Sequence, residues 1–228
     1  MVQPVLFRED FYLLEEERVR QFLILAREEA LLIDTGFPDS HVIDAVRSLT
    51  SAPVKVLLTH GDGDHTGGLK DFGACCLHPG DWDTIHGDVR LSPLEEGDVF
   101  SCGGYQLEVI EVPGHTPGSV AFFDREHRLL LSGDSVQVGP TFLFGERRDL
   151  PRYIDSLRRL LSWQDMVDTI LPCHHTCPID ASYISKNLTD AIALEQGQLS
   201  GTPHPFMPCH VYQGKWTAFY ASAHLSRS

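Results

Sequence analysis

The chain has 228 residues, 32 acidic against 18 basic, for a formal charge of -14 at pH 7. An excess of negative charge repels polyanions, and no basic stripe offsets it, LRRLL and GERR being only pairs, so nucleic acid is not the expected partner and a small-molecule substrate is favoured. The opening residues carry no basic-then-apolar leader and no apolar run long enough to cross a bilayer, so a cytoplasmic chain without membrane attachment is expected.

In chain order, Val5–Phe7 and Phe22–Leu25 have strand character, and Ala30–Ile33 is an apolar strand ending in Asp34-Thr35-Gly36. Val42, Ile43, Val46 and Leu49 follow at helical spacing, and PVKVLLT forms a buried strand that runs into His60-Gly61-Asp62-Gly63-Asp64-His65. Strand, helix and strand in this order point to an α/β layered fold. Leu107–Gly114 and Gly118–Asp124 alternate like sheet strands, and HRLLLSGDS is a further strand closing on Asp134. Tyr153, Ile154, Leu157, Leu160 and Leu161, behind Pro151, predict a surface helix. DTILPCHHT gives a strand into a histidine loop, a helix is expected from Ile179 to about Gln196, and a terminal strand pair is expected around Gln213-Gly214. The length favours one domain over residues 1–228. Cys75, Cys76, Cys102, Cys173, Cys177 and Cys209 lack the dense, even spacing of a disulfide framework and are expected to be reduced.

Polar clusters at 60–65, 115, 134 and 174–175 each stand where an apolar strand ends, the position at which a rigid sheet presents groups on an accessible loop. Histidines and carboxylates spaced by single glycines suit a metal site, because the glycines allow a tight, positive-φ turn and the side chains converge. Turn chemistry accounts for the glycines but not for the histidines.

THGDGDHTGG resembles the His-x-His-x-Asp-His motif of the metallo-β-lactamase superfamily, and IDTG, PGHTPGS, LLLSGDS and ILPCHHT resemble its further blocks in the same order. The resemblance implies an αββα sandwich of four layers with a dinuclear site at one edge. It implies a first divalent ion on His60, Asp62 and His115, a second on Asp64, His65 and His174, and Asp134 bridging both. It further implies a hydrolase that uses a metal-bridging hydroxide on an ester-like bond, a thioester or lactone first. Beyond the motif, Asp64 is expected in a catalytic role, orienting the hydroxide or returning a proton to the leaving group.

Position 62 departs from the pattern, which has His there. The third carboxylate lowers the charge of the loaded site from about +1 to about 0, and a harder oxygen donor favours iron or manganese relative to zinc. The flavodiiron branch of the same superfamily carries a carboxylate at this place, so the alternative reading is a stand-alone diiron oxygen or nitric oxide reductase or sensor. Cys173 and His175 are expected as buried packing and as a solvated or supporting residue. His78, His210, Phe142 and Phe144 are candidates for the pocket wall, and Arg147 and Arg148 are expected as exposed charge flanking a helix. His41, His86, His127, His204 and His224 have no ligand-type spacing. Specificity is expected from loops around 36–40, 78–90, 139–148 and 200–210.

Overall fold

The computed structural model describes residues 2–223; His224 lies outside them. The first sheet is built from β1 (Gln3–Arg8), β2 (Phe11–Glu15), β3 (Arg20–Leu25), β4 (Ala30–Ile33), β5 (Val54–Leu57), β6 (Ala74–Leu77) and β7 (Arg90–Pro93), in that order across the sheet. Its first half pairs antiparallel and β4 to β7 run parallel. The second sheet contains β8 (Val99–Cys102), β9 (Tyr105–Glu111), β10 (Val120–Asp124), β11 (Leu129–Gly133), β13 (Thr169–Pro172) and β14 (Ile179–Asp180), ordered β14-β13-β11-β10-β9-β8. A third, smaller sheet joins β12 (Pro140–Leu143) to β17 (Ala218–Ala221), β16 (His210–Gln213) and β15 (Gly201–Pro203).

Period-two alternation sends each large sheet's side chains to a shared core between the sheets and to an outer core under its own helices, three cores in all. Phe122 of β10 and Leu31 and Ile33 of β4 face the space between the two large sheets, where they meet Phe11, Phe22, Leu107 and Leu131. Leu32 and Leu23 point the other way, onto Val42, Ala45 and Val46 of α1 (Val42–Leu49). Ala121, Phe123 and Ile170 pack outward on α3 (Leu150–Leu161) and α4 (Ser182–Glu195), through Tyr153, Leu157, Ile184 and Leu188. Helices therefore cover both outer faces, which makes the expected αββα layering. At about 25 cal/mol per Å² of apolar surface, burial on both faces of each sheet is the main stabilising contribution.

Two expectations change. The last helix starts later, because Ile179 and Asp180 pair with Ile170 and Thr169 at the sheet edge, and the Asp180 carboxylate then accepts the Ser182 amide. Residues 140–143, expected as loop, form β12, which runs parallel to the C-terminal β17. The helix predicted around Pro151 is present and buries Tyr153, Ile154, Leu157 and Leu160, with Asp149 accepting the Arg152 amide at its start; Leu161 stays exposed. All six cysteines are free thiols.

Candidate metal centre

The polar clusters meet at one edge of the sandwich. The first sheet contributes Asp34 after β4, and His60, Asp62, Asp64 and His65 after β5, the last two on the single-turn α2 (Gly63–Thr66). From the second sheet come His115 in the β9–β10 loop, Asp134 after β11 and His174 after β13. Neither Gly61 nor Gly63 has positive φ, contrary to expectation. Gly61 is required by close approach instead: a Cβ there would lie 2.2 Å from the Thr84 hydroxyl.

One triad is formed by His60 Nε2, His115 Nε2 and Asp62 Oδ2, with separations of 3.2 Å between the imidazoles and 3.5 and 3.2 Å from Asp62 to His60 and His115. Bonds of about 2.1 Å around a tetrahedral ion place donor atoms about 3.4 Å apart, so this triangle has the size of a coordination face. A second triad holds His65 Nε2, His174 Nε2 and Asp64 Oδ2, the carboxylate being 3.8 and 3.4 Å from the two imidazoles. Asp134 stands between them, its Oδ2 3.3 Å from His174 Nε2 and 3.6 Å from His115 Nε2, and its Oδ1 3.6 Å from His65 Nε2.

The far side of each ring fixes which nitrogen faces inward. His65 Nδ1 donates to Asp34 Oδ2 at 2.8 Å, His115 Nδ1 to the Phe142 carbonyl at 2.9 Å, and His174 Nδ1 to the Arg18 carbonyl at 2.6 Å. The Thr59 hydroxyl gives its proton to Asp34, so its oxygen accepts from His60 Nδ1, 3.0 Å away. In the neutral tautomers so defined, all of these rings turn an Nε2 lone pair toward the centre. Lone pairs 3.2 Å apart repel unless a cation lies between them, and His65 Nε2 and Asp134 Oδ1 are buried without a hydrogen-bond partner. The donor set therefore fits divalent cations.

Burial opposes charge on His65 and His174, yet the surrounding carboxylates raise them to about 9 and about 11. Asp64 is lowered to about 2 because His65 and His174 outweigh its burial, and Asp62 and Asp134 are held ionised against burial by the same kind of imidazole contact. His115 moves down, chiefly through burial.

The arginines do not lie exposed as expected. Arg148 Nη2 meets Asp62 Oδ2 at 2.5 Å with only 10% of its side chain exposed. This changes the charge count reached from the sequence, since the added carboxylate at 62 has its own fixed cation. Arg147 binds Asp83 at the surface and the fully buried Asp81. Asp81 in turn accepts the amides of Gly61 and Gly118 and the Thr116 hydroxyl, tying the His60 loop to the His115 loop. Asp81→Ala leaves buried donors and a guanidinium unpaired, a loss of about 3–5 kcal/mol, and thermal melting should show a Tm lower by about 10 °C.

A cleft of about 900 Å³ opens over the centre, lined by Asp62, Asp64, His115, Asp134 and His174 and walled by Phe37, Pro140, Phe142, Met207 and Tyr220. His175 and His204 also reach it, as do Arg18, Gln137 and the 91% exposed Phe206. His78 binds Glu111 instead, and Phe144 stacks on Phe142 without lining the cleft; His210 and Arg147 do not line it either. Loops at 36–40, 139–148 and 200–210 thus contribute, and 78–90 does not. Cys173 is fully buried, and its thiol donates to Asp34 Oδ2 at 3.3 Å rather than facing the cleft. Sequence reasoning missed Asp34 as the support of His65; its signal was an aspartate closing an apolar strand.

Comparison with known proteins agrees with this geometry. The model of the metallo-beta-lactamase superfamily matches residues 16–74 and 78–174. The chain is 29% identical over 201 residues to the acyl-coenzyme A thioesterase MBLAC2 of Gallus gallus, covering 69% of this chain and 72% of that protein. It is 33% identical over 178 residues to the hydroxyacylglutathione hydrolase of Aeromonas salmonicida (strain A449), covering 76% and 65%. A hydroxyacylglutathione hydrolase of Bdellovibrio bacteriovorus is 33% identical over 114 residues, and the chain spans 45% of its length. Among solved structures, a metallo-beta-lactamase from Pontibacter korlensis superposes with a TM-score of 0.71 at 20% identity, over 84% of this chain and 99% of that one. From the match over most of the chain and the shared fold, the protein belongs to the metallo-beta-lactamase superfamily.

Proposed function

We propose that the protein is a dinuclear-metal hydrolase of small-molecule thioesters, acting as a single domain, with lactones as the related second class. The observation that carries this reading is the pair of ligand-sized triads sharing Asp134 beneath an open, largely apolar cleft. His60, Asp62 and His115 would hold one ion, and Asp64, His65 and His174 the other. When bound, divalent ions supply Lewis acidity for a carbonyl oxygen and lower the pKa of a water.

The chain's own groups do the rest. Phe37, Phe142 and Tyr220 give an acyl group an apolar wall. Asp64 is ionised and open to the cleft, with 26% of its side chain exposed. It can orient water for attack on the acyl carbon and then pass the proton to the departing thiolate. The thioester preference follows the relatives, an acyl-coenzyme A thioesterase and a hydroxyacylglutathione hydrolase. Asp62 was the feature favouring a diiron redox protein, through its oxygen donor and its charge; Arg148 offsets the charge, and the activities of the relatives favour hydrolysis.

The test combines elemental analysis of protein purified without added metal with thiol release from a panel of acyl-coenzyme A and acyl-glutathione esters, a lactone panel and an oxygen electrode. Thiol release that chelation abolishes is the expected result. Fully metal-loaded protein that consumes oxygen and turns over no ester would refute the hydrolase reading.

A further inference from the structure

We propose that Asp62 and Arg148 act as one unit, in which Arg148 cancels the charge that the carboxylate adds beside the first ion. The proposal rests on the metal reading of the site. The same oxygen, Asp62 Oδ2, lies 3.2 Å from His115 Nε2, 3.5 Å from His60 Nε2 and 2.5 Å from Arg148 Nη2. A carboxylate has lone pairs enough to serve a guanidinium and an ion together. Asp64 and Asp134 have only imidazoles as charged partners among the described residues, so Arg148 is the one permanent cation paired with a carboxylate of the cluster.

Arg148 is held in place from both sides. Its amide donates to Gly145, its guanidinium lies 5.7 Å from the Phe142 ring, Arg147 is tied to Asp81, and the Asp149 amide donates to Gly114. These contacts fix the backbone from which the Arg148 side chain reaches the cleft wall, in the same loop that supports His115 through the Phe142 carbonyl. A buried guanidinium needs an anion, and Asp62 is the anion it has. With Asp62 ionised, a doubly loaded site loses about one unit of positive charge, and Arg148 returns it. Asp62 and Arg148 together then present to the first ion the charge of a neutral donor, while remaining an oxygen ligand.

This pairing makes a non-additive prediction for the full-length chain, read by Zn(II) titration against a chromophoric chelator, with Co(II) absorption distinguishing the two positions. Asp62→His alone strands the guanidinium beside a dication and should weaken first-ion binding about tenfold or more. Asp62→His with Arg148→Gln should return it to within about threefold of the unmutated chain. Arg148→Gln alone leaves the carboxylate uncompensated and should tighten binding about tenfold, whereas Arg148→Lys, which keeps the charge, should stay within about threefold.

Ion uptake at Asp64, His65 and His174 reports on folding in every variant, and the Arg148 variants carry the test should Asp62→His fail to fold. Equal affinities for Asp62→His with and without Arg148→Gln would overturn the proposal. Equal weakening in Arg148→Gln and Arg148→Lys would also overturn it, reducing Arg148 to packing. An unmutated chain that takes up no ion at either position would instead bring down the metal reading, and the pairing with it.

Discussion

Asp134→Ala should abolish measurable ester hydrolysis, a fall of about 10³-fold or more, and reduce bound metal from two ions per chain to one or fewer. The side chain is the only anion common to both triads, with one oxygen between His115 and His174 and the other facing His65. Loss of a group that merely orients a ligand costs about 10–100-fold, and a shared donor should cost more. Its removal also leaves two dications without the negative charge that lets them stand near each other. Elemental analysis of the purified variant is the decisive measurement. Retention of both ions at full occupancy would show that Asp134 does not bridge.

Asp34→Asn should be nearly as damaging although Asp34 does not line the cleft. Asp34 Oδ2 receives the Thr59 hydroxyl, His65 Nδ1 and the Cys173 thiol, while Oδ1 receives the Thr59 amide. An asparagine can keep the Thr59 amide on its oxygen only by presenting its NH₂ to those other donors. His65 must then carry its proton on Nε2, pointing at the ion it would otherwise bind. Affinity at the second position should fall about 100-fold, the upper end for a partner of a ligating histidine. Asp34→Ala removes the conflict but leaves buried donors unpaired, at about 1–3 kcal/mol each. A chelator titration showing equal affinity in Asp34→Asn and the unmutated chain would mean that His65 is free to choose its tautomer.

Much of the site was legible because its parts are local. An apolar run ending in a polar cluster marks a strand delivering side chains to an edge, and His60, Asp62, Asp64, His65, His115, Asp134 and His174 all arrive that way. The α/β layering was legible in the order strand, helix, strand, whereas the four-layer αββα arrangement came from the resemblance to the superfamily and agrees with the packing of Ala30–Ile33 and Val120–Asp124. What was hidden depends on distance along the chain. Arg148 and Asp62 are 86 positions apart, and a neutralising partner leaves no trace in the local pattern of either. Pro140–Leu143 is too short to announce a strand, and its partner near the C-terminus supplies the pairing. His78 and His204 exchanged expectations, because contact with Glu111 in one case and the fold of the third sheet in the other decides which imidazole meets the cleft.

Each triad draws from both large sheets: His60 and Asp62 face His115 across the sandwich, and Asp64 and His65 face His174 and Asp134. The spacing of the two sheets at this edge therefore sets the size of both coordination faces. A substitution that loosens the core between the sheets should accordingly lower metal affinity at both positions together, which a chelator titration would show.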